Sequence, residues 1–94
     1  LVARAGLGTL NHTLLSLACA RDHRLAVKGV VLNHAAGPPR GPAARVSAQT
    51  NVQVLRQLTQ APILGPLPFR SDRQPLSEWI QPCLGPSVLR ALMD

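Results

Sequence analysis

Three short apolar runs, separated by two stretches of helical spacing, constrain this chain more than any other feature. The runs are LVAR at 1–4, VKGVVLN at 27–33 and APILGPL at 61–67. Between the first two, Leu10, Leu14, Leu17 and Ala18 fall at i, i+4, i+7 and i+8. That is one face of a helix, expected over about 9–23. Between the second and third, Ala48, Val52, Leu55 and Thr59 form one stripe with Leu58 beside it, and a helix is expected over 45–59. The run at 27–33 is apolar without clean alternation, as in a strand buried on both faces. HAAGPPRGPAA, at 34–44, holds three prolines and two glycines and reads as a loop. Residues 68–75 read as a second loop. Trp79, Ile80, Val88, Leu89 and Leu92 point to one or two short C-terminal helices. The order β-α-β-α-β-α argues for an α/β fold with a parallel sheet and helices on its faces.

Composition narrows the function classes. The chain is 46% hydrophobic, too apolar for disorder by composition. Phe69 and Trp79 are its only aromatic residues, so a core must be built from Leu, Val, Ile and Ala. A chain of 94 residues buries a modest share of its surface, and marginal stability is expected for it alone. The net charge is +6, with nine arginines and the single lysine Lys28. The arginines are scattered and have no interleaved aromatics on which bases would stack. A solvated basic surface is therefore expected, and no nucleic-acid partner.

Cys19 and Cys83 are the only cysteines. A zinc site takes about four ligands, and the nearest histidine to either cysteine is His23, so no metal site is expected. The two cysteines read as reduced residues of a cytoplasmic protein, and Cys19 as a small apolar side chain packed on its helix. The apolar stretch at 14–20 is too short for a membrane helix and lacks the flanks of a signal peptide.

Between the first run and the first helix stands Gly6-Leu7-Gly8-Thr9. Glycines let a backbone approach an anion closely, and a helix N-terminus offers free N–H groups to it. An ordinary βα turn has the same spacing, so both readings stay open on the residues. Thr9 or Asn11 is expected to cap the helix. The turn is not a dinucleotide fingerprint, because Asn11 stands at the third glycine position, and no Gly-Lys-Ser/Thr occurs in the chain. His12 reads as a helix-surface or dimer-interface residue. His23 reads as a helix C-terminal cation at low pH. Asn33 ends its strand and suits a turn there. Phe69 suits core packing, and Trp79 packing under the C-terminal helix.

Three segments together carry a resemblance. VARAGLGTLNHTLLSL at 2–17, GVVLN at 29–33 and APILGPLPF at 61–69 resemble, in order and separation, the C-terminal half of dethiobiotin synthase. The resemblance implies a P-loop α/β fold with an incomplete sheet here. Residues 1–94 would be the C-terminal portion of a single domain whose N-terminal P-loop half is missing. It implies an ATP-dependent cyclo-ligase of biotin biosynthesis, cytoplasmic and homodimeric. Such an enzyme uses ATP and Mg²⁺ to close the ureido ring of 7,8-diaminopelargonate with CO₂. Gly8, Thr9, Leu10 and Asn11 resemble the segment that one subunit offers to the substrate carboxylate in the other subunit's site. Asn33 resembles the residue that hydrogen-bonds adenine, and Pro68 and Phe69 the pair lining the purine pocket. His34 stands where some members carry Asp, which puts base selectivity in doubt. No catalytic residue and no metal ligand matches: Lys28 is not a P-loop lysine, and Asp22, Asp72, Glu78 and Asp94 fit no metal motif. The chain alone is therefore expected to be inactive. Two other readings are an amidotransferase-type cobyrinate or cobyric acid synthase domain and a non-catalytic dimerisation remnant.

Overall fold

The computed structural model describes residues 1–37 and 39–70, with Pro75, Ser77, Glu78, Gly85, Arg90 and Met93. The expected C-terminal helices, with Trp79 and Cys83, lie outside the described residues. The elements run β1 (Val2–Arg4), α1 (Thr9–Asp22), β2 (Val30–Asn33), α2 (Pro42–Leu58) and β3 (Ile63–Leu67). The three strands form one parallel sheet in the order β1-β2-β3. The α/β architecture read from the periodicity is the one observed.

β2 is the centre of the sheet. Ala3 pairs with Leu32, and Val30 pairs with Ile63. Side chains alternate across a strand, so these residues share one face. Val30, Leu32, Leu55 and Ile63 form the core there, with Leu10, Leu14, Leu17 and Val52 of the helices packed against it. Val31 and Leu64, one residue out of phase, are only half-buried. The expectation that 27–33 is buried on both faces is therefore corrected: the strand is shorter, and its burial alternates. Both helices lie over the Val30–Leu32 side and touch each other, as two right-handed crossovers in one direction require.

α2 begins three residues before the expected start. The expectation treated Pro42 as part of a loop, whereas Pro42 follows the N-cap Gly41 and opens the helix. Proline is at home there, because the first helical N–H has no intrahelical partner to lose. The stripe on α2 is as expected at Ala48, Val52 and Leu55, but Leu58 is exposed. The helix stops at Leu58 and the chain turns extended at Thr59. The Thr59 hydroxyl then accepts a hydrogen bond from the Ala61 amide at 3.0 Å.

Past the end of α1 at Asp22, Arg24 takes φ 57°. The Leu25 amide donates back to Ala20 at 2.8 Å and the Arg24 amide to Arg21 at 2.9 Å, a left-handed helix stop.

β3 carries a bulge. Val31 pairs with Leu64 but Asn33 pairs with Leu67, so Gly65 and Pro66 together face Leu32. Gly65 has φ 89°, and a Cβ there would stand 2.7 Å from the Leu67 nitrogen and 2.8 Å from the Leu32 carbonyl oxygen. The bulge re-aims the strand end. The Leu67 carbonyl accepts a hydrogen bond from the His34 amide at 3.0 Å.

Two leucines of α2 separate core from surface. Leu55→Ala is expected to cost about 2–5 kcal/mol, and Leu58→Ala to stay within about 0.5 kcal/mol. Urea unfolding of the two variants checks both.

Candidate functional site

The site lies where β1 and β2 end. In parallel α/β sheets ligands bind outside the carboxyl ends of the strands. β1 ends at Arg4, and the Ala5 amide donates to the Asn33 carbonyl at 2.8 Å. This ties the two strand ends together just before the Gly6-Leu7-Gly8 turn. Gly8 is the N-cap of α1, at φ 88°. A Cβ at Gly8 would meet only the His12 ring, at 3.6 Å. Glycine is thus required there by the left-handed backbone and not by lack of space.

No side chain caps α1, which corrects the expectation for Thr9 and Asn11. Thr9 is the first helical residue, and its hydroxyl lies 3.3 Å from that of Thr13. Both threonines are buried. Asn11 is exposed and two residues further along the helix. The Thr9 amide donates to the Gly6 carbonyl at 3.1 Å and the His12 amide to the Gly8 carbonyl at 3.0 Å, so the N–H groups of Leu10 and Asn11 are the ones left to an outside acceptor, and the helix dipole favours a negative one.

A cleft of about 930 Å³ opens beside these strand ends. Arg4, Thr9, His12, Thr13, Asn33 and Ser47 are among the residues that line it. Of the predicted site residues, the cleft brings together Thr9 and Asn33. Gly8, Leu10, Asn11, Pro68 and Phe69 do not line it. Leu10 points into the core side of α1, so only its backbone N–H remains for a ligand. Pro68 and Phe69 follow the β3 bulge and lie beside the other edge of β2, joined to His34 through the Leu67 carbonyl. Phe69 is 46% exposed, which rules out the plain core role for it. Asn33 and His34 are half-buried.

Arg4, Thr13 and Ser47 line the cleft and escaped the sequence reading. Arg4 reads as part of a strand, and Thr13 as one more helix position. The i, i+4 spacing of Thr9 and Thr13 was the available signal for the second. Cys19 corrects another expectation: it is exposed and not packed. Among the described residues, no three His, Cys, Asp or Glu side chains gather to hold a metal. No helix among them is long and apolar enough to cross a membrane.

The sequence was compared with known proteins. The family model described as "AAA domain" matches residues 1–76. The chain belongs to the AAA domain family. Within this family it is similar to proteins named ATP-dependent dethiobiotin synthetase. That of Thermodesulfovibrio yellowstonii is 40% identical over 72 residues, covering 77% of this chain and 28% of that protein. That of Bacillus cereus is 44% identical over 68 residues, 72% of this chain and 26% of its own length. That of Clostridium acetobutylicum is 31% identical over 74 residues, 79% of this chain and 28% of its own. The resemblance read from the three segments is thereby shown. The chain spans about a quarter of the length of these curated relatives. No solved structure matches it.

Two of the positive-φ glycines, Gly8 and Gly65, give a paired test. Gly8→Ala should cost about 1–2 kcal/mol, the strain of a left-handed L-residue. Gly65→Ala should cost more, because its Cβ meets backbone atoms on two strands. Equal losses in urea unfolding would contradict this reading of the two turns.

Proposed function

We propose that residues 1–94 are the C-terminal portion of a single P-loop domain of an ATP-dependent dethiobiotin synthase. The parent would be a cyclo-ligase that closes the ureido ring of 7,8-diaminopelargonate with CO₂ in biotin biosynthesis. The observation that supports this most is the 31–44% identity to proteins of that name, over 68–74 residues of this chain. In this reading the protein is a cytoplasmic homodimer, and neither nucleic acid nor membrane is a partner.

This chain's part in the chemistry is to bind and orient. The Gly8–Asn11 segment at the start of α1, through the N–H groups of Leu10 and Asn11, receives the substrate carboxylate in the partner subunit's site. A carboxylate there gains charge-assisted hydrogen bonds and the favourable end of the helix dipole. Asn33 offers both a donor and an acceptor to the adenine edge. Pro68 and Phe69 flank the purine from the neighbouring strand end. Holding nucleotide and diamine in register lowers the entropic part of the barrier.

Phosphoryl transfer also needs a divalent metal ion held by acidic residues, and the described acidic residues do not fit that role. Asp22 is exposed at the far end of α1 beside Arg21, and neither Asp22 nor Glu78 lines the cleft. No step through Mg²⁺ is assigned to this chain.

The test is an assay of the full product of the reading frame that contains residues 1–94. ATP-dependent conversion of 7,8-diaminopelargonate and CO₂ to dethiobiotin is expected. Residues 1–94 alone should show no turnover. A full product without ring closure, or turnover by residues 1–94 alone, would overturn the reading. In the active product, Asn33→Ala should raise KM for ATP about tenfold, the worth of roughly one hydrogen bond of 1.4 kcal/mol.

A further inference from the structure

The end of β1 carries a positive charge with no counter-charge. Arg4 is the last residue of β1 and the register partner of Asn33 on β2. Ala3 and Leu32, one residue earlier on each strand, both pack in the core under the helices. Side chains alternate along a strand, so Arg4 and Asn33 share the opposite face. Neighbouring strands lie about 4.8 Å apart, a gap that the long arginine side chain spans. The backbone is fixed at both residues. The Ala5 amide donates to the Asn33 carbonyl at 2.8 Å, and the Gly6 amide to the Arg4 carbonyl at 3.1 Å. Among the described residues, no hydrogen bond or ion pair engages the Arg4 side chain. Arg4 is also the one permanently charged side chain among the described residues that line the cleft, which holds two imidazoles, His12 and His34, and no carboxylate. Such a lining presents a positive field to an anion.

We infer that Arg4 binds a phosphate of the adenine nucleotide whose base is held at Asn33. This rests on the reading of Asn33 as the purine contact. Strand order gives the direction. Pro68 and Phe69 follow β3 on one side of β2, and Arg4 ends β1 on the other. A base held at the β2 and β3 ends leaves the β1 side for its ribose and phosphates. The guanidinium offers two parallel N–H donors, a fork that matches phosphate oxygens. The other anion of the reaction, the carboxylate of the diamine, has the N–H groups of Leu10 and Asn11 at the start of α1.

The test is calorimetry of the full product of the reading frame with ATP, adenosine and 7,8-diaminopelargonate. Arg4→Gln should weaken ATP about ten- to hundredfold, the range for losing a hydrogen bond to a charged group. It should leave adenosine and the diamine unchanged. Arg4→Lys should recover part of the ATP affinity, since it keeps the charge and loses the fork. Asn33→Ala should weaken ATP and adenosine alike, which tests the purine reading separately. Circular dichroism checks that each variant is folded, as the exposure of Arg4 favours. An ATP affinity unchanged by Arg4→Gln, or an equal loss for adenosine, would overturn the Arg4 assignment and leave the Asn33 reading standing. A loss confined to the diamine would overturn it in favour of the carboxylate. Indifference of both ATP and adenosine to Asn33→Ala would overturn the purine reading, and the Arg4 assignment with it.

Discussion

The structure hangs on the burial of β2. Val30 and Leu32 are 0% and 1% exposed, and Leu55 of α2 closes over them at 0%. A strand paired on both edges satisfies its backbone through its neighbours. Its apolar side chains then have one place to go, under the two helices. Every other element takes its position from this strand. The β1 register sets where Arg4 and Gly6 fall relative to Asn33. The β3 register, with its bulge, sets where Pro68 and Phe69 emerge. A one-residue slip of β2 would turn Leu32 outward and Asn33 inward, and the site would be lost with the core.

Much of this was legible in the residues, for a physical reason. The spacing of Leu10, Leu14 and Leu17, and of Ala48, Val52 and Leu55, reports helix faces directly, and α1 runs over Thr9–Asp22 against the expected 9–23. What failed were the places where backbone chemistry outweighs side-chain pattern. Pro42 reads as a breaker but serves as a helix start. Thr9 reads as a cap, yet Gly8 takes that position because the chain arrives in a left-handed conformation. Cys19 reads as apolar filling, yet its helix position faces solvent. The bulge at Gly65 has no sequence signature beyond a Gly-Pro pair, since register belongs to the partner strand.

The site was legible in a different way. Thr9 and Asn33 are 24 residues apart along the chain, and Phe69 lies 36 residues beyond Asn33; they approach only through strand order. Spacing alone left the Gly6-Leu7-Gly8-Thr9 turn open between an ordinary connection and an anion site. The comparisons decide the family, and the geometry adds that the Thr9 amide is taken up by the Gly6 carbonyl. The chain spans about a quarter of its curated relatives, and its cleft is open.

The central claim is that the α1 start receives a carboxylate and the β2 end receives a purine. The most direct measurement is isotope-edited NMR on the full product of the reading frame, with ATP and 7,8-diaminopelargonate added separately. The account predicts that ATP shifts the Asn33 side-chain amide and that the diamine shifts the backbone amides from Gly8 to Asn11. Binding of both ligands with neither set of resonances moved would contradict it.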